Sequence, residues 1–201
     1  MRGELPEIPE SLDAPSFLRR VLQAALYERG EGFARLLPHL LDVRLPAQYL
    51  GGEFGAVRKD WDSARFGLAL GFPDLYTLGM SYLGMQILYH LVNSPEEATP
   101  TRAVAAGGPY LCERFFCPDM DMKELMERKD VVLYTLESKR PLREFDAVGF
   151  SFTHEGTYSN LPRMLRLANI PLWQRDRRDE DPIVIGGGEC MLNPEPVALP
   201  E

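Results

Sequence analysis

Apolar positions along the chain fall into short runs separated by glycine, proline and acidic residues, and the length of each run decides the element it predicts. Phe66 to Leu70, closed by Gly71 and Pro73, has the length of one buried strand. Residues 110–117 (YLCERFFC), 131–137 (VVLYTLE), 147–153 (AVGFSFT) and 182–188 (PIVIGGG) repeat that signature, so five strands are predicted. Amphipathic stretches lie between them. Leu78, Tyr82, Leu83, Met85, Ile87, Leu88, Leu91 and Val92 give a helix after the first strand its apolar faces. Residues 122–129 (MKELMERK), capped by Asp119 or Asp121, and 157–169 (TYSNLPRMLRLAN), entered through Gly156, predict two more.

The resulting order, β-α-β-α-β-β-α-β, implies an α/β fold with a doubly wound, mostly parallel five-stranded sheet and right-handed crossovers. A Rossmann/flavodoxin-like strand order 2-1-3-4-5 is expected, with only a single-turn link, SKRPLREFD, between the third and fourth strands. Ahead of this unit, residues 1–13 read as a loose tail. Pro15 to Arg29 then predicts a helix with Phe17, Val21, Leu22, Ala25 and Leu26 on one stripe. A second apolar stretch, FARLLPHLLDV, is kinked or divided by Pro38. Residues 1–45 therefore read as a helical N-terminal appendage and 46–201 as the Rossmann domain. The segment 94–109 reads as a surface loop, and residues 191–201 (MLNPEPVALPE), with Pro194, Pro196 and Pro200, as extended chain.

Composition narrows the function. A net charge of −8 argues against a general nucleic-acid surface, and the local cluster Arg175, Arg177 and Arg178 reads as a solvated loop. No run of about 18 apolar residues suggests a membrane span, and the acidic N-terminus has no signal core. Three cysteines without a CxxC pair argue against a disulfide scaffold and make a reduced, cytoplasmic setting the expectation. No Ser/His/Asp series or acid pair has hydrolytic spacing.

In open α/β sheets, ligands bind beyond the carboxyl ends of the strands. Three loops fall there: residues 72–79 (FPDLYTLG), 151–156 (SFTHEG) and 186–190 (GGGEC). Glycine on such a rim lets a backbone approach a broad ligand closely. Each residue also has a plainer role. Asp74 can cap a helix or close a turn, Gly79 and Gly84 can serve packing, and Met80, Met85 and Met122 suit a core. His154 beside Glu155 suits a hydrogen-bonded surface position, and Cys190 a small buried one. Three successive glycines, Gly186, Gly187 and Gly188, favour ligand approach over turn formation alone, and no GK[ST] follows to make a phosphate loop.

Asp74 to Gly79 (DLYTLG) resembles the D-x-H-x-x-G element of cobalamin-binding domains, SFT at 151–153 resembles their S-x-L/T element, and Gly186-Gly187 their final glycine pair. With RKDW, ERFFCPDMDM, LESKRPLREFDAVGFS and IGGGECMLNPEP, residues 42–201 resemble the N-terminal B12-binding-like domain of uncharacterised radical-SAM proteins. That resemblance implies a cobalamin-binding-domain type of sheet. It also implies that Phe72, Asp74, Tyr76, Gly79 and Met80 lie under a corrin, and that Ser151, Phe152, Thr153, Gly186, Gly187 and Gly188 line a slot for its nucleotide tail. Tyr76 stands where the cobalt-ligating histidine would be. A phenol with a pKa near 10 is a poor donor, so any cobalamin would lack a histidine axial ligand here.

The C-x-x-x-C-x-x-C set that a 4Fe–4S cluster and SAM require is absent, so this chain is expected to perform no catalysis alone. The cluster and SAM would belong to a radical-SAM barrel in cis or on a separate chain. The alternatives are a cofactor-free positioning module that keeps the fold, its rim filled by Phe72, Tyr76 and Phe152, and, more weakly, a flavin- or nucleotide-binding domain.

Overall fold

The computed structural model describes residues 31–94 and 110–198. The helix predicted over 15–29, most of the 94–109 loop and residues 199–201 lie outside these. Five α-helical segments occur among the described residues: α1 (Glu31–Leu36), α2 (Tyr76–Gly79), α3 (Leu83–Asn93), α4 (Met120–Arg128) and α5 (Asn160–Leu167). The strands are β1 (Phe66–Phe72), β2 (Tyr110–Phe116), β3 (Ala147–Ser151) and β4 (Ile183–Gly187). All pairings are parallel, in the order β2-β1-β3-β4.

The sheet thus has four strands among the described residues, where five were expected. Residues 131–137 form no ladder; they contribute only an antiparallel bridge between Tyr134 and Pro141. The cause lies in β2, which carries two buried charges, Glu113 and Arg114. The segment at 133–142 folds back on itself, with Thr135 N–H bonded to Arg140 C=O and Leu142 N–H to Leu133 C=O. It gives β2 one main-chain bond, Leu136 N–H to Arg114 C=O, and otherwise satisfies that edge through the Glu137 side chain. β3 accordingly pairs directly with β1.

Alternation along the strands builds two apolar clusters. Leu70 and Phe72 join Met85 and Tyr89 of α3 and Cys112 and Phe116 of β2. On the other face, Ala69, Phe115, Val148, Phe150 and Phe152 pack with Met122, Leu125 and Met126 of α4 and with Met164 and Leu165 of α5. Each such fully buried Val, Leu, Phe or Met side chain contributes about 1.5–3 kcal/mol of burial free energy. Gly71 has no side chain because the ring of Phe115, its cross-strand neighbour, lies 2.1 Å from where a Cβ would be. Asp119 caps α4 by accepting from Met120 N–H.

The divided N-terminal stretch behaves as Pro38 predicts: α1 passes into a 3₁₀ helix, Leu37–Asp42, with the proline in its first turn. Phe33, Leu36, Leu40 and Val43 belong to the same cluster as Phe115 and Phe150, so this stretch is part of the core. Among the described residues no helix is long and apolar enough to cross a membrane.

Candidate ligand rim

β1, β3 and β4 run parallel, so the loops that follow them emerge on one edge of the sheet. Ser151 is in register with Gly187, and Phe152 N–H donates to Gly187 C=O at 2.7 Å. The β1 loop reaches the same rim. Asp74 Oδ2 lies 3.6 Å from His154 Nε2, and Asn160 of α5 donates to the carbonyl of Pro73 at 2.9 Å. Asp74 is also held by its own loop: its Oδ1 accepts from Leu75 N–H, and its carbonyl accepts from Cys117 N–H. The three loops singled out in the sequence therefore meet, and Asp74 keeps one carboxylate oxygen directed toward His154.

The residues named within those loops divide by accessibility. Gly186, Gly187 and Gly188 are exposed, Asp74 and Thr153 are half-buried, and Ser151 is buried. Phe72 and Phe152 are buried in different clusters on opposite faces of the sheet. They do not collapse together over the rim. Gly79 is packed where a Cβ would fall 2.4 Å from the Phe116 ring and 2.9 Å from Phe72 Cβ. Gly188 has φ +100°, and its absent Cβ would lie 2.2 Å from the carbonyl oxygen of Phe152. Among the rim glycines only Gly187 leaves open space, with nothing within 4 Å of a built Cβ.

Phe152 and Gly186 also face a cavity of about 470 Å³ between β4, α5 and the segment 191–198. Its walls include Tyr158, Leu161, Trp173 and Met191, and Arg177 reaches its edge. A volume of this order lies in the range of small-molecule pockets. Tyr158 Oη closes one corner by donating to Cys190 C=O at 3.1 Å.

Tyr76 turns away from this opening. Its ring packs edge-on against Phe116, and its hydroxyl donates to Glu53 Oε1 at 2.9 Å. Burial, and then the neighbouring Glu53 carboxylate, push its pKa well above the phenol value, so it supplies no phenolate to a metal.

Glu53 ties Tyr76 to a network absent from the sequence reading. Its other oxygen accepts from Arg114 at 3.0 Å, and Arg114 Nε donates to Glu137 Oε1 at 2.6 Å. The guanidinium also sits 4.5 Å from the ring centroid of Tyr89 and 3.3 Å from Met80 Sδ. Met80 is thereby drawn toward β2. Glu113 accepts from Thr135 Oγ1 and from Ser138 Oγ and N–H. The adjacent Glu-Arg pair inside an apolar strand was the available signal, since neither charge is normally buried without a partner.

No cluster of three or more His, Cys, Asp and Glu suited to a metal exists among the described residues. Cys112, Cys117 and Cys190 are separate, reduced and buried. Burial pushes the Cys117 thiol up to about 11 and the Cys112 thiol further still. The native chain is therefore expected to react slowly with a disulfide thiol probe at pH 8, releasing three equivalents only in denaturant. Rapid labelling of the folded protein would contradict this burial.

The described residues thus form a parallel α/β sheet with a glycine-bearing rim at its strand ends. Residues 84–199 match the family of radical SAM proteins, N-terminal, and the chain belongs to that family. No curated protein and no solved structure matches the chain.

Proposed function

We propose that this chain is the accessory α/β domain of a radical-SAM protein and that its strand-end rim seats a corrinoid for the catalytic domain. The observation that carries the reading is the meeting of Asp74, Thr153, His154 and exposed Gly187 on one edge, beside a cavity of about 470 Å³ at Gly186. A corrin ring carries many amide side chains, and such a ligand suits a shallow rim offering a carboxylate, a hydroxyl, an imidazole and bare backbone. The donor set fits a corrinoid held by its periphery, because Tyr76 is committed to Glu53. When bound, a corrinoid supplies a redox-active cobalt centre. In this proposal Asp74 and Thr153 hold amides, Gly187 admits the ring edge, and the cavity takes the nucleotide portion. A flavodoxin-like arrangement and a reduced cytoplasmic setting belong to the same proposal.

The test uses the full chain incubated with excess hydroxocobalamin and then desalted. Retained visible absorbance is expected from the wild type. It should be lost in Gly187→Trp, a variant expected to fold because the added side chain enters open space. Equal retention by both, or none by the wild type with or without the radical-SAM domain, overturns the corrinoid assignment.

A second reading is favoured by a specific observation. Gly79 and Gly188 are both required by internal packing, and Tyr76 by the Glu53–Arg114 network, so three motif residues serve the fold itself. In that reading the domain is a cofactor-free platform positioning the radical-SAM domain. A Gly187→Trp variant with undiminished activity in the assembled protein would support it.

A further inference from the structure

The fourth strand is unlike the other three. β1, β2 and β3 are almost wholly buried, as strands of parallel sheets are, but in β4 only Val184 is half-buried. Ile183 is 64% exposed and Ile185 49%. Both point away from the α4–α5 core, because Val184 between them packs against it. The bare area continues inward. A Cβ on Gly149 would lie 3.6 Å from both Ile185 Cγ1 and Leu68 Cδ1, so these residues floor one apolar face.

On this face α3 packs over β1 and β2. Its outward residues Leu83, Ile87 and Leu88 are exposed although apolar. A helix apolar on its inner and outer sides is normally packed on both. Among the described residues, half of one helical layer is therefore present. β4 is also the last strand of the sheet and carries no charged residue or proline between Ile183 and Gly187. Natural edges are usually defended by such residues, and an undefended one is a template for pairing.

The polypeptide itself indicates the occupant. After β4 it passes through the turn Glu189–Leu192 and lines the cavity beside Val184 with Pro194, Pro196 and Val197, staying at this edge. The family is an N-terminal portion of radical SAM proteins. On the accessory-domain reading given above, we propose that the outer edge of β4 and the bare β3–β4 face seat a strand and an apolar-faced helix of the polypeptide carrying the radical-SAM domain. The strand extends the parallel ladder beyond β4. The helix covers Leu68, Ile183 and Ile185 and fills the space beside Leu83 and Ile87.

Amide hydrogen exchange of Ile183–Gly187 tests this, in the full chain alone and in the chain joined to or mixed with the radical-SAM domain. Exchange is expected to slow by about tenfold or more on association. Association itself should weaken by about tenfold or more in the Ile183→Asp/Ile185→Asp double variant. If the partners associate while β4 exchange and the variant's affinity stay unchanged, the docking site lies elsewhere and only this inference falls. If the wild-type chain does not associate with the radical-SAM domain at all, the accessory-domain reading falls first. Protection of β4 already in the isolated chain, or a concentration-dependent dimer abolished by the double variant, identifies another occupant and overturns the inference. The exchange measurement on wild-type protein decides even if the double variant fails to fold.

Discussion

Alanine at Arg114 is expected to lower the stability of the domain by about 3–5 kcal/mol, the usual cost of removing one partner from a buried ion pair. Arg114 and Glu137 are each 3% exposed at their side chains, so water cannot replace the lost contact. Burial pushes the Glu137 carboxyl upward, and Arg114 is the principal influence opposing it. The substitution also removes the cation from the Tyr89 ring and one of Glu53's partners. Urea unfolding followed by circular dichroism would measure the loss. A control separates the ion pair from simple volume: Arg114→Met combined with Glu137→Met should cost markedly less than Arg114→Ala. Near-equal losses would mean that the network acts through shape and not through charge.

Gly188→Ala is the second large effect expected, at about 3 kcal/mol or more, from a backbone region essentially restricted to glycine together with overpacking. The residue has φ +100° and ψ 177°. The obstacle is the Phe152 carbonyl, which is backbone and cannot swing aside, and the same peptide region accepts from Cys190 N–H. Thermal unfolding should show the loss, and ligand retention should fall with it because the β3 and β4 loops are fastened here. Gly187→Ala, one residue earlier, is expected to be nearly silent in both assays. A stable Gly188→Ala protein would show that the loop relaxes more readily than its geometry implies.

The run lengths in the sequence were enough to locate β1, β2, β3 and β4 and the helices between them, since each apolar run has the length and turn punctuation of its element. They failed at 131–137, where VVLYTLE has a strand's composition but its last residue must serve Arg114. Periodicity records which side chains prefer burial, and not which polar group in a neighbouring strand needs them. The convergence of Asp74, Ser151 and Gly187 was legible because parallel strands send their following loops to one edge. The pairing of Asp74 with His154 was not, since the two are brought together only by β1–β3 adjacency. The sequence favours ligand approach at Gly186 to Gly188 and leaves Gly79 open between packing and a ligand contact. Their φ angles and neighbours divide them, with Gly188 and Gly79 committed to the chain and Gly187 left open.

The position of β1 bears on how the protein can be dissected. It is hydrogen-bonded on one side to β2 and on the other to β3, yet it ends at Phe72, upstream of the matched residues 84–199. A gene trimmed to the recognisable signature would delete the keel of the sheet, and with it Phe33 and Leu36, which lie against the same interior. The heritable folding unit therefore begins some fifty residues before the signature does, and truncation series should start upstream of residue 31.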